Sequence, residues 1–231
     1  MKSNKSNIWR HELKYIVTQY AENEVIFMIK RHPAIFTEIF SKRGVNNIYF
    51  DTAMFEAFSD NVIGISERVK MRIRWYGDTF CCVEKPMLEF KIKKASAGRK
   101  ELYSFPSFSL NQDTHSSEIF DLIQKIKGFS HLARSVSLKT SPVLINNYTR
   151  RYFLSSCGRF RITYDTNLGY YDFNKKNKER LETHQKILEI KFNCEDHKNV
   201  KDITSNFQFR MNKSSKYVNG IGNLAMLPDI Y

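Results

Sequence analysis

Between Arg68 and Trp75 the chain alternates strictly, basic at Arg68, Lys70, Arg72 and Arg74 and apolar at Val69, Met71, Ile73 and Trp75. A period of two marks a strand, whose successive side chains leave opposite faces. The four cations therefore share one face at spacings of roughly 7 Å. Neighbouring pairs repel by only about 0.6 kcal/mol in bulk water, and several-fold more where the effective dielectric falls. Such a row is either fully solvated or holds a polyanion.

The same alternation predicts strands over 9–17, 47–51, 88–93, 100–105, 147–154, 159–165, 169–172 and 186–193. Helical spacing is confined to connectors: 22–31, 117–127 with serines at its start and Gly128 beyond its end, and 198–209. The segments 131–142 and 173–185 read as loops, the second a solvated hairpin loop carrying a dense charge cluster. Strands dominate, so the class is α+β, mainly antiparallel β. Residues 1–7 are expected to be disordered and 8–231 to form a single domain.

With 42% hydrophobic residues, 18 Phe and 12 Tyr, the 231-residue chain has the composition of a folded protein. It has no apolar run of the ~20 residues needed to span a bilayer, and residues 1–7 lack the apolar core of a secretory signal. A cytoplasmic protein is expected. Cys81, Cys82, Cys157 and Cys194 match no zinc or redox spacing, and the six histidines form no metal motif. They read as reduced thiols and ordinary histidines. The net charge of +13 favours an anionic partner without saying which.

Charges fall on a single face of almost every strand. An open sheet with one solvated face does this, and it is the common default. A closed barrel with an inward polar face does it too. Sign and density favour the barrel: Lys14, Arg72, Arg74, Lys91, Arg150 and Arg161 come from five strands and would converge on a site too repulsive to stand without an anion.

Arg10-His-Glu12-Leu-Lys14-Tyr15, Tyr49-Phe-Asp51, Arg72-Ile-Arg74-Trp75-Tyr76-Gly77 and Glu89-Phe-Lys91 resemble successive motifs of the VTC polyphosphate polymerase domain. That domain is the catalytic part of the vacuolar transporter chaperone complex, in the CYTH-like triphosphate tunnel metalloenzyme superfamily. Pro142 to Phe153 with Tyr148-Thr-Arg150, Arg161-Ile-Thr-Tyr-Asp165-Thr, Leu188-Glu189-Ile-Lys191 and Lys213-Ser-Ser215-Lys216-Tyr217 continue the resemblance in the family's order.

The resemblance implies an eight-stranded closed β-barrel with a basic interior and a few flanking helices. It also implies polyphosphate polymerisation from a nucleoside triphosphate such as ATP, with Mn²⁺ or Mg²⁺ as cofactor and inorganic polyphosphate or pyrophosphate as further ligand. By resemblance Lys14, Arg72, Arg74, Lys91, Arg150 and Arg161 are the catalytic phosphate-binding residues. Lys213, Ser215, Lys216 and Lys93 are further phosphate contacts, and Glu189, with Glu12 and Glu89, is the metal ligand set.

Each residue taken alone also has a plain structural reading. Glu189 and Lys191 balance charge on a strand face, Lys213 and Lys216 are surface lysines, and Asp165 caps a turn or balances Arg161. Arg68, Lys70 and Lys93 either guide a product chain or face water. Arg10 stands where tunnel hydrolases carry a first acidic residue, and Lys93 stands where some polymerase relatives have histidine. A tunnel triphosphatase and a non-catalytic polyphosphate or nucleotide sensor are the alternatives. Nucleic-acid binding is not expected, since no recognition motif is visible.

Overall fold

The computed structural model describes residues 4–226. In chain order its strands are β1 (Asn4–Ile16), β2 (Thr37–Asp51), β3 (Glu67–Tyr76), β4 (Cys82–Val83), β5 (Met87–Lys94), β6 (Ala97–Ser104), β7 (Phe108–Ser109), β8 (Ser141–Leu154), β9 (Arg161–Asp172), β10 (Leu181–Thr183) and β11 (Ile187–Asn193). The α-helices are α1 (Glu22–Lys30), α2 (Glu56–Ile63), α3 (Ser116–Gln124), α4 (His131–Lys139), α5 (Val200–Thr204) and α6 (Lys216–Asn223), with a 3-10 turn over Cys194–Asn199. The protein is a mostly antiparallel sheet with a few helices. Among the described residues no helix is long and apolar enough to cross a membrane.

Nine strands form one sheet in the order β10-β9-β11-β1-β6-β5-β3-β2-β8, and β8 pairs in addition with β9. Eight strands thus have a partner on both edges and their pairings run in a ring, with β10 attached to the C-terminal half of β9. Directly opposed residues of an antiparallel pair share a face, so register carries the alternation from strand to strand. Ile73 lies opposite Ile48 and Leu88. That apolar face packs beneath α3 and α4 with Ile119, Ile123 and Ala133. On the other side Tyr15, Leu188, Ile190, Ile162 and Phe153 pack against Val25 and Ile29 of α1 and Ile203 of α5. Both cores lie outside the ring, and the polar faces of the same strands turn inward.

A third apolar cluster lies on the inner face at one end, where Tyr49, Leu144 and Tyr170 meet Tyr217 and Ile221 of α6. The approach is close: a Cβ on Gly220 would stand 2.5 Å from the Leu144 side chain and 2.7 Å from Tyr170. Asp51 ties this end together. Its carboxylate accepts from the Ala57 and Phe58 amides of α2, and the Tyr217 hydroxyl of α6 donates to it.

Several elements depart from the sequence pattern. The 131–142 segment is not a loop but α4, N-capped by Ser130, whose Oγ accepts from the Ala133 amide at 3.1 Å, and then the start of β8. The 198–209 segment is helical only to Thr204, beyond which Phe207 and Phe209 enter the core individually. The 173–185 segment carries β10 and a buried Lys178 whose ammonium donates to the Gln112 carbonyl, so it is not a freely solvated loop. The strands expected at 159–165 and 169–172 are one, β9, irregular at Asn167 with its φ of 54°. Residues 4–7, expected to be disordered, run as the first part of β1, and residues 1–3 lie outside the described residues. All four cysteines are free.

Candidate functional site

The interior of the ring is built around two carboxylate-centred ion clusters. On β3, β5 and β6, Arg72 and Glu89 are directly opposed. The Arg72 guanidinium donates to Glu89 Oε2 through Nε at 2.9 Å and Nη2 at 2.5 Å. Lys100 reaches the same oxygen at 3.2 Å, and Arg74 lies 3.8 Å from Oε1. Arg74 is fixed further by Nε donating to Asn47 Oδ1 at 2.9 Å and by Nη2 donating to the Tyr148 hydroxyl at 3.2 Å. Burial alone would raise the Glu89 carboxyl, but Arg72, Arg74 and Lys100 more than reverse this and hold it well below the usual carboxylate range.

The second cluster joins β1, β8, β9 and β11 to α6. Asp165, fully buried, receives Arg150 through two short hydrogen bonds of 2.5 and 2.6 Å and the Lys216 ammonium at 2.6 Å. Glu189 is ringed by Lys191 at 2.8 Å, Lys14 at 3.5 Å, Lys216 at 3.6 Å and Arg150 at 3.9 Å. Burial opposes ionisation of Glu189, but Lys191, Lys14, Lys216 and Arg150 together hold its carboxyl well below the usual range. Lys14 also donates to the Ser214 carbonyl at 2.8 Å, and Lys91 pairs with Glu12 at 2.6 Å.

Cations outnumber acids throughout. Among the described residues in these contacts, Lys14, Lys70, Arg72, Arg74, Lys91, Lys100, Arg150, Lys191 and Lys216 stand against Glu12, Glu89, Asp165 and Glu189, nine against four. The excess shows in the two lysines with least compensation. Lys70 donates to Ser215 Oγ at 2.9 Å; burial, then the charges of Lys14, Lys91, Arg68 and Lys93, push it down to about 6. Lys100 is pushed down to about 7 by burial against the pull of Glu89, with Arg72 and Arg74 adding to the depression. Tyr148 reports the same field. Burial would raise its hydroxyl, yet Arg150 and Arg74 bring it below its ordinary value. An interior that pushes Lys70 and Lys100 toward neutrality is one that an anion would stabilise.

The expected residues divide accordingly. Lys14, Arg72, Arg74, Lys91 and Arg150 converge inside the ring, joined by Lys216 and by Ser215, the N-cap of α6. Lys93 lies half-buried on the same face, opposite Arg68. Arg161 is opposite Lys191 but exposed at the start of β9, and Lys213 is exposed too. Asp165 balances Arg150 and Lys216, not Arg161. Lys216 is a buried member of the network and not a surface lysine. Sequence reasoning left Lys70 open between guiding a product chain and facing water, read Lys191 as balancing charge on a strand face, and missed Lys100, whose place opposite Lys91 only the strand register shows.

Of the expected metal ligands, Glu89 has arginines or lysine on both oxygens. Glu189 differs, since its Oε1 has only the looser lysine contacts at 3.5 and 3.6 Å. Glu189 is close enough to Glu12 to raise the cost of ionising Glu12. No group of three or more His, Cys, Asp or Glu side chains suited to a metal is present among the described residues. Two carboxylates fit a hard divalent ion that completes its shell with phosphate and water oxygens. A surface cleft of about 260 Å³ between Thr18, Thr166 and His184 includes none of the nine interior cations.

A model of the family described as VTC domain matches residues 9–225. No curated protein matches the sequence. Similar solved structures include a candidate adenylate cyclase from Vibrio parahaemolyticus, 13% identical over 92% of this chain and 98% of that one, with a TM-score of 0.56. A candidate adenylate cyclase from Bacillus halodurans is 12% identical over 93% and 97%, with a TM-score of 0.54. A candidate adenylyl cyclase from Hippeastrum, described as having a dominant triphosphatase activity, is 13% identical over 94% and 96%, with a TM-score of 0.53. At these identities the likeness is one of fold.

Proposed function

The chain belongs to the VTC domain family, and from that premise we propose that it is a polyphosphate polymerase whose strand ring is the wall of a closed, basic tunnel. The observation that carries this reading is the excess of cations over acids among the described interior contacts, with two lysines driven toward neutrality. A linear phosphate chain supplies the missing negative charge along the whole row.

In the reaction, an oxygen of the terminal phosphate of the growing chain attacks the γ-phosphorus of ATP. The bond from that phosphorus to the β–γ bridging oxygen breaks, and ADP leaves. The nucleophile is already anionic, so the protein needs no general base; it must align two polyanions and spread the charge of a loose transition state. Arg72, Arg74 and Arg150 are suited to this because carboxylates and asparagine hold their guanidinium planes before substrate arrives. Lys14, Lys91 and Lys216 add point charges. Glu189, with Glu12, would hold Mg²⁺ or Mn²⁺, which would supply positive charge to offset that of the phosphates. Glu89 serves as counter-ion to the arginines.

A second reading is a tunnel triphosphatase, the activity described for the Hippeastrum protein; the Glu12–Glu189 pair is the feature that supports it. Incubation with ATP and Mn²⁺, followed by gel electrophoresis and phosphate assay, separates the two. Long phosphate chains support the polymerase, and stoichiometric orthophosphate without chains replaces it with the hydrolase. Tight polyphosphate binding without either product leaves a sensor, whose binding survives Glu189→Ala.

A further inference from the structure

We propose that Arg43, held in a cage of three aromatic rings, is a phosphate-binding station at the end of the ring away from α6, where it takes the product chain as it leaves. The inference rests on the polymerase reading and adds a residue that neither the sequence motifs nor the two ion clusters include. Arg43 lies directly opposite Arg150 on the β2–β8 pair, so its side chain is on the inner face. Its guanidinium carbon sits 4.6 Å from the centre of the Phe40 ring, 4.8 Å from Tyr76 and 4.9 Å from Tyr152. Phe40 and Tyr152 are themselves packed edge to face, 5.5 Å apart.

Such a site is unusual for what it lacks. The Arg43 Nε is buried without a hydrogen-bond partner. The acids of this region, Glu38 and Glu22, are taken by Arg151 and Lys42. Arg150, the cation it faces, already has Asp165. Stacked rings orient a guanidinium and lower its hydration, but they provide no hydrogen-bond acceptor in its plane. The in-plane donors of Arg43 are therefore left for an anion, and a phosphate with two acceptor oxygens matches them.

The position decides which phosphate. α6 with Tyr217 and Ile221 fills the inner face at the Tyr49–Leu144–Tyr170 end. On β2, β3 and β8 the cage occupies the opposite end, beyond Arg74 and Arg150. There Phe40 and Tyr76 are 51% and 52% exposed, as expected for the rim of an opening. A chain anchored at Arg72, Arg74 and Arg150 and barred by α6 runs outward past Arg43.

The test compares binding of tripolyphosphate and of a polyphosphate of some sixty units to wild type, Arg43→Ala, Arg43→Lys and the double variant Phe40→Leu/Tyr76→Leu. The last leaves Arg43 in place if its removal unfolds the chain. Arg43→Ala is expected to bind the long chain about tenfold more weakly, the scale of one lost charge-assisted hydrogen bond, with tripolyphosphate affinity unchanged. The lysine and double variants should fall between. Equal long-chain affinity in wild type and all variants overturns the station. Equal loss for both ligands also overturns it, since Arg43 would then belong to the central site. Failure of wild type to bind either phosphate removes the polymerase reading itself, which is a different outcome.

Discussion

If the interior carries too much positive charge for its own lysines, binding a phosphate chain must draw protons from solution. At pH 7, Lys70 at about 6 is about nine-tenths neutral and Lys100 at about 7 is about half neutral in the free protein. A polyanion threaded beside them favours both charged forms, so binding at pH 7 takes up about one and a half protons. The affinity then falls as pH rises. From pH 7 to 8 the ninefold or so lost through Lys70 and the fivefold or so lost through Lys100 combine to about 50-fold. The assay is titration calorimetry with long-chain polyphosphate, whose internal groups stay ionised across this range, in buffers of different ionisation enthalpy. The heat should vary with the buffer by the predicted proton count, and Lys70→Met should remove the larger share of it. The free protein gives the opposite sign for stability. Both lysines titrate below the unfolded value of about 10.4, so between about pH 6 and 10 the unfolded chain holds more protons and stability rises with pH. A buffer-independent heat together with an affinity flat from pH 6 to 8.5 would refute the reasoning.

Asp165→Ala strands Arg150 and Lys216 as buried charges and should cost about 3–5 kcal/mol in urea unfolding, whereas exposed Arg161→Ala should be near neutral in the same measurement. Arg72→Ala should lower turnover by about 10²–10³-fold, the scale of losing one preorganised donor, with circular dichroism unchanged. Glu189→Gln should abolish the response of turnover to added Mn²⁺ while tightening polyphosphate retention on filters, because one interior negative charge is gone. Lys213→Ala, which removes an exposed lysine, should alter polyphosphate binding less than about twofold.

Alternation was enough to find the ring strands and to say which side chain of each shares a face with which. It failed where the backbone leaves period two. The N-terminal half of β2 shifts register between Glu38 and Phe40 and again between Phe40 and Arg43. No alternation could therefore place Phe40 and Arg43 on the inner face. α4 was hidden because the residues it buries, Ala133 and Ser137, are small and one is polar. α2 has no fully buried residue; the Asp51 carboxylate just upstream accepts its first amides, and Ala57 and Phe58 pack half-buried on the cluster around Tyr217. The closing pair β8–β9 and the insertion of α6 join residues far apart in the chain, and no local pattern encodes them. Lys213 and Lys216 look alike in the sequence; only the turn into α6 exposes one and buries the other between Asp165 and Glu189.

The interior cations fall into two kinds, and the four acids explain why both are present. Each arginine of the two clusters has a carboxylate that fixes its plane: Glu89 for Arg72, with Arg74 nearby, and Asp165 for Arg150. Guanidinium cannot shed its proton at any ordinary pH, so without these partners the ring would hold uncompensated buried charge. Lysine can shed its proton, and Lys70 and Lys100 do so where compensation runs short. The ring therefore keeps geometry in its arginines and an adjustable charge in Lys70 and Lys100. Lys70 and Lys100 relieve part of the repulsion by shedding protons, and a polyanion restores that charge when it binds. Replacing Lys70 by arginine tests the distinction directly: the added permanent charge should lower the melting temperature of the free protein at pH 8 and leave that of the polyphosphate complex little changed.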